Sequence, residues 1–109
     1  NNLSLYDIEV QKIETSYKGK QDGVRFKIKN KGSKTLTRIV ITVYFKNKDG
    51  VIIFEDSFNA IGGWGSTPLK PNYIHQMKKH TYYIIEGVPS EWDETQYEVK
   101  ITDLTFQDD

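Results

Sequence analysis

Between Gly23 and Phe58 the chain reads as strand, turn, strand, turn, strand. Val24, Phe26 and Ile28 alternate with Arg25, Lys27 and Lys29, so a period of two puts the apolar set on one face and the basic set on the other. After the turn signal Asn30-Lys31-Gly32-Ser33, the run Ile39, Val40, Ile41, Val43, Tyr44 and Phe45 is too apolar for a strand with one wet face. It predicts a central strand, buried on both sides or with a partly covered outer side. Lys48-Asp49-Gly50 then turns the chain into Val51 to Phe58, because Asp-Gly supplies the positive φ angles of tight hairpins.

The flanking segments extend this pattern. Leu3 and Leu5 share one parity, Ile8 and Val10 the other, and Ile13 returns to the first, so the opening strand needs a kink or bulge, or crosses from one sheet to the other. Ser16 to Gly23 reads as a hairpin loop. Asn59 to Asn72, broken by Gly62, Gly63, Gly65, Pro68 and Pro71, is the longest candidate loop. Tyr73 to Glu86 is strand-like again, most clearly from Thr81 to Ile85, where both faces are apolar. Ser90 to Glu94 predicts one helical turn capped by Ser90. The last strand, Gln96 to Phe106, changes parity around Asp103, which marks a bulge or a shift between neighbouring partners, and Gln107-Asp108-Asp109 is expected to fray.

About seven strands with regular turn signals, and no apolar stripe of helical period, predict an all-β chain: an antiparallel immunoglobulin-like β-sandwich, with a small barrel as the alternative. At 109 residues residues 1–109 form a single domain that buries roughly two thirds of its unfolded surface. The chain has no cysteine, which excludes disulfides and thiolate chemistry. No apolar run reaches the roughly 20 residues of a membrane span. The chain opens on Asn1, which predicts a processed piece, with any targeting or anchoring segment upstream; membrane attachment would come only through such an unseen anchor.

Fifteen basic and fifteen acidic side chains cancel, so nucleic acid is not an expected partner. The distribution is uneven: residues 1–50 carry a net +6 and residues 51–109 a net −6. Head-to-tail stacking of molecules is one reading. The favoured one is interleaved strands, with Lys27 or Lys29 beside Glu98 or another acid as cross-strand pairs.

Val24 to Asn30, Ile39 to Phe45, Lys48-Asp49-Gly50-Val51 and Leu69-Lys70-Pro71-Asn72 together resemble the bacterial FxLYD-type domains, over about residues 24–86. The match is to a strand ending in Asn, a hydrophobic and aromatic strand core, an Asp-Gly hairpin and a Leu-x-Pro turn. At the naming motif, Ile41-Thr42-Val43-Tyr44-Phe45 has Ile for the leading Phe, Val for Leu and Phe for the closing Asp. The resemblance implies an immunoglobulin-like sandwich of an exported or cell-envelope protein, with an extracytoplasmic location and no catalytic set to carry over.

Candidate chemistry is sparse. His75 and His80 are five apart, which suits neither one strand face nor helical ligand spacing, so no metal site is expected. The acids Glu91, Asp93 and Glu94 lack a calcium-loop pattern and read as a solvated turn. No nucleophile elbow or phosphate loop is present, and the chain is not expected to be an enzyme or to hold a cofactor. The expected function is therefore a non-catalytic binding or structural module making protein–protein contacts, including self-association. The alternatives are a carbohydrate-binding module using Trp64 and nearby tyrosines, or an enzyme-inhibitor domain. Candidate binding residues are Trp64, Tyr73 and Trp92. Trp64, among glycines, is either a plug over the core or a stacking platform; Trp92 is expected to cover a sheet edge.

Overall fold

The computed structural model describes residues 3–15, 19–63 and 65–107. The chain forms seven strands: β1 (Leu3–Thr15), β2 (Gly19–Asn30), β3 (Leu36–Asn47), β4 (Ile52–Ile61), β5 (Ile74–Gln76), β6 (Tyr83–Ile85) and β7 (Trp92–Phe106). They build two antiparallel sheets packed as a β-sandwich, and no helix occurs among the described residues. In sheet A, β2 lies between β1 on one side and both short strands, β5 and β6, on the other. In sheet B, β3 lies between β4 and β7. The two stretches with the clearest apolar patterns are thus the central strands of their sheets.

Alternation explains the core. Val24, Phe26 and Ile28 from β2 face Ile39, Ile41, Val43 and Phe45 from β3, all at 2% exposure or less. Val10, Leu36, Ala60, Ile61, Leu69, Ile85 and Trp92 close the cluster. Phe26, Phe58 and Tyr83 stack between the sheets, with Phe58 and Tyr83 centroids 4.3 Å apart. Of the two readings of β3, the partly covered outer side is the one found, with Val40 and Tyr44 half-buried. Thr42 is buried and shares hydroxyl hydrogen bonds with Ser57 (2.7 Å) and Thr102 (2.9 Å), so a hydroxyl ladder crosses all three strands of sheet B.

Both predicted parity changes are bulges. In β1 the register breaks between Tyr6 and Glu9, and Asp7 takes a left-handed φ of 51°. The extra residue brings Leu5, Ile8 and Val10 to the same buried side, while Ile13 stays on the outer one. In β7 the register slips between Ile101 and Asp103, opposite Ile41 and Val40.

Elsewhere the structure corrects the reading. Ser90 to Glu94 is not a helical turn: Ser90 and Glu91 form a turn closed by the Trp92 N–H on Pro89 O (3.1 Å), and β7 starts at Trp92, paired with Asn47. The strand prevails because it lets the indole bury against Phe45, which a one-turn helix in water cannot offset. The segment from Tyr73 to Glu86 is two three-residue strands separated by a loop over 77–82. β2 starts at Gly19, so Gly23 lies within a strand; a Cβ there would come within 2.9 Å of Tyr82 Cβ, which is why that position is bare. The hairpin at Asn47–Val51 has a left-handed angle at Gly50 only (φ 78°), and Asn47 Oδ1 accepts from the N–H groups of Asp49 and Val51.

Candidate functional site

The sandwich has two ends. At one, β2 finishes on Asn30, whose side chain is 2% exposed. Asn30 Nδ2 donates to Lys34 O (2.8 Å) and Leu69 O (3.0 Å), and its Oδ1 accepts from Gly32 N–H (2.9 Å). Its backbone N–H donates to Tyr73 O, and its carbonyl accepts from Asn72 N–H. One buried amide therefore fixes the 31–35 connection against the 69–73 loop, with every side-chain polar atom partnered. Leu69 and Leu36 also exchange two backbone hydrogen bonds. Lys70-Pro71-Asn72-Tyr73 is a tight turn: Pro71 fixes its own φ, Asn72 accepts a left-handed one (69°), and Tyr73 N–H donates to Lys70 O (3.0 Å). The turn presents Tyr73, 58% exposed, with the Lys70 ammonium 5.9 Å from its ring centre.

At the other end the Trp92 indole is buried (6% exposed), edge-on to Phe45 at 4.9 Å and 89°. Its Nε1–H donates to Gln96 O (3.0 Å), which satisfies the one polar atom of the ring. Lys12 lies 5.6 Å from the ring centre, 3.7 Å from Asp22 Oδ1 and 4.0 Å from Glu94 Oε1, tying β1 and β2 to β7. Beside the indole a depression of about 450 Å³ is lined by Asn47, Lys48, Asp49, Glu91, Trp92 and Asp93. Asp93 accepts from Thr95 N–H and Oγ1–H, which holds its carboxyl below the ordinary range.

Of the three residues singled out by sequence, Trp64 lies outside the described residues. Tyr73 and Trp92 are at opposite ends, separated by the length of β2 from Asp22 to Asn30, about 25 Å at the usual strand rise. Tyr73 is accessible and Trp92 is part of the core, so these two do not form one stacking platform.

A third surface, not anticipated, is the outer face of sheet A. Arg25 points out from the middle of β2 and is held in place: Nη1 donates to Thr81 O (2.9 Å) and Lys78 O (3.4 Å), and Nε lies 3.9 Å from Glu9. The guanidinium also lies 5.5 Å from the Tyr82 ring centre, and the Tyr82 hydroxyl accepts from Gln11 Nε2 (2.7 Å). Next along the face, Lys27 pairs with Asp7 (3.2 Å) and lies 6.0 Å from the Tyr6 ring centre. Two shallow depressions sharing Glu9 and Arg25 flank this row, of about 430 Å³ on the Asp7–Gln76 side and about 280 Å³ on the His80–Tyr82 side. Both β1 and the β5/β6 edge interrupt their pairing with β2 at this level, and two non-glycine residues with left-handed φ, Asp7 and His80 (64°), border it. Ile74 and Ile84, 48% and 42% exposed, stand on either side along the same edge. The alternation of Arg25, Lys27 and Lys29 signals a basic face in the sequence; the loop over 77–82 that anchors on it has no local signal.

Compared with protein-family models, curated proteins and solved structures, the chain matches none. The surfaces must therefore speak from their own geometry. Among the described residues no group of three or more histidine, aspartate or glutamate side chains is placed to hold a metal ion. His75 faces inward from β5, 6.2 Å from the Phe26 ring, and burial lowers its pKa. His80 is at the exposed tip of the 77–82 loop, so the two histidines do not converge.

Glu98 pairs with Lys46 (2.7 Å) and Lys100 (3.2 Å), which hold its carboxyl below the ordinary range, and Arg38 pairs with Asp103 (2.6 Å); all lie on sheet B. Cross-strand pairing thus does link the two halves of the chain. Lys27 and Glu98, however, are on different sheets, and Lys27 is neutralised by Asp7 of its own half.

The sheet edges are guarded. β1 carries the Asp7 bulge, β4 turns Asp56 toward the inner parity of its edge, β7 is bulged near Asp103, and the β5/β6 edge is cut into two short pieces. Each is a known obstacle to strand addition.

Proposed function

We propose that this chain is a non-catalytic binding or structural module that makes protein–protein contacts through the outer face of sheet A. The observation that carries the reading is the immobilised Arg25, set between Tyr82 and Glu9 with exposed Ile74 and Ile84 on either side. Arginine and tyrosine anchor interfaces because each offers a large contact area together with hydrogen bonds. Here their conformational freedom is already lost before any partner arrives. The guarded edges favour contact by side chains over strand addition. In an exported or envelope protein, the setting that the resemblance to FxLYD-type domains implies, such a module joins its chain to a neighbour.

Site-specific photo-crosslinking tests this in the cells that make the protein. A photoreactive residue at Ile74 or Ile84 is expected to trap a discrete protein partner, whereas one at Tyr44, on the outer face of sheet B, traps none. Crosslinks at Tyr44 with silence at both isoleucines would overturn the reading.

A further inference from the structure

The two ends of the sandwich are opposites. A strand of twelve residues such as β2 spans about 40 Å. It therefore runs along the longest dimension of a body measuring 42 × 32 × 21 Å, and the ends are its 32 × 21 Å faces. Among the described residues, the connections at the Asn30 end, 31–35 and 62–73, carry Lys31, Lys34 and Lys70 and no carboxylate. At the Trp92 end, 48–51 and 86–94 carry Asp49, Glu86, Glu91, Asp93 and Glu94 against Lys48, with Lys12 of β1 reaching the same end beside Glu94. Among the described residues, four of the six large exposed apolar side chains also lie at the ends: Tyr73 and Phe106 at the basic one, Val51 and Ile52 at the acidic one.

Shape follows the same polarity. The basic end projects the rigid Lys70–Tyr73 turn, an aromatic ring beside an ammonium. The acidic end holds the depression of about 450 Å³ lined by Asp49, Glu91, Asp93 and Trp92, next to exposed Val51. A tyrosine ring fits such a space, and an adjacent lysine would meet carboxylates at its rim.

We propose that copies of this chain associate end to end, the Lys70–Tyr73 turn of one seating in the Asp49–Glu91–Trp92 depression of the next. The occupant is a second copy because both complementary surfaces belong to this chain. The contact is heterologous, so the pairing leaves a free knob and a free hole and continues into chains. An end face of this size offers on the order of 500 Å² per partner, below the ~800 Å² of a standard interface, so the association is weak, fast and sensitive to salt.

Sedimentation equilibrium of the whole chain decides the matter. At low salt and concentrations approaching about 1 mM, the average mass should rise above the 12.7 kDa monomer and pass beyond a dimer, with at least tenfold weaker association at high salt. K70A/Y73A, which loses the knob, and D49N/E91Q, which loses the hole, should each associate at least tenfold more weakly. Mixed in equal amounts they should form a dimer that grows no further, because one intact knob meets one intact hole. A wild-type chain that stays monomeric under all these conditions, or association that survives both variants, overturns the proposal. Neither result bears on crosslinking from the sheet A face, which does not depend on this contact.

Discussion

Asn30 is the residue whose removal tests the fold most sharply. Asn30→Ala deletes the two bonds from Nδ2 to Lys34 O and Leu69 O and the one from Gly32 N–H to Oδ1. Leu69 O keeps the Leu36 N–H, so it is weakened as an acceptor without being orphaned. The other two groups lose their side-chain partner. At about 1 kcal/mol net for each hydrogen bond the loss is about 3 kcal/mol, a large share of a domain's usual ~5–15 kcal/mol. The melting temperature should fall by roughly 15 °C for a chain of this size. Asn30→Asp sharpens the test. It keeps an acceptor for Gly32 but places a carboxylate at 2% exposure facing two carbonyl oxygens. That raises its pKa in the folded state, so the protonated form is the one that folding favours, and stability is lost as pH rises through the carboxylate range. Asn30→Asp should therefore be less stable than Asn30→Ala at pH ~7 and recover toward it near pH ~4. Urea denaturation at both pH values, with the slope held constant, measures this. An Asn30→Ala chain within about 0.5 kcal/mol of wild type would refute the idea that this amide holds the end of the sandwich together.

Two further outcomes follow from buried rings. Burial lowers the pKa of His75 below its ordinary 6.5, so the unfolded chain binds the proton more readily; stability should be full above the ordinary value and decline as pH falls toward the lowered one. His75→Phe should flatten that slope in urea midpoints taken from about pH 8 to pH 5. Trp92→Ala should cost about 3–5 kcal/mol, and Trp92→Phe about 1–2 kcal/mol through the lost bond to Gln96 O; calorimetric melting separates the two, and a Trp92→Ala loss under ~1 kcal/mol would contradict the packing on Phe45.

Much of the architecture was legible because alternation is a local property. Val24, Phe26 and Ile28, and Ile39 through Phe45, announced their inward faces, and the parity changes before Ile8 and near Asp103 called for a bulge or a change of partner, of which bulges are found. What was not legible depends on partners distant in sequence. The segment from Tyr73 to Glu86 looks like one strand. It is two because Arg25, in the neighbouring strand, donates to the carbonyls of Lys78 and Thr81 and holds the intervening loop away from the ladder. The cap signal at Ser90 was real but weak against Trp92 pairing with Asn47 and burying on Phe45. The candidate site suffered most. Sequence order does not say at which end of a sheet a residue emerges, so the candidates Tyr73 and Trp92 could not be placed relative to one another, and the length of a strand divides them.

The split edge of sheet A has a practical consequence. Because 77–82 is moored by side chains of other strands and contributes no rung to either sheet, the tip between Lys79 and Thr81 can be lengthened without disturbing any strand pairing. That makes it the natural splice point for a grafted recognition loop, carried beside Arg25 on a platform that already exists.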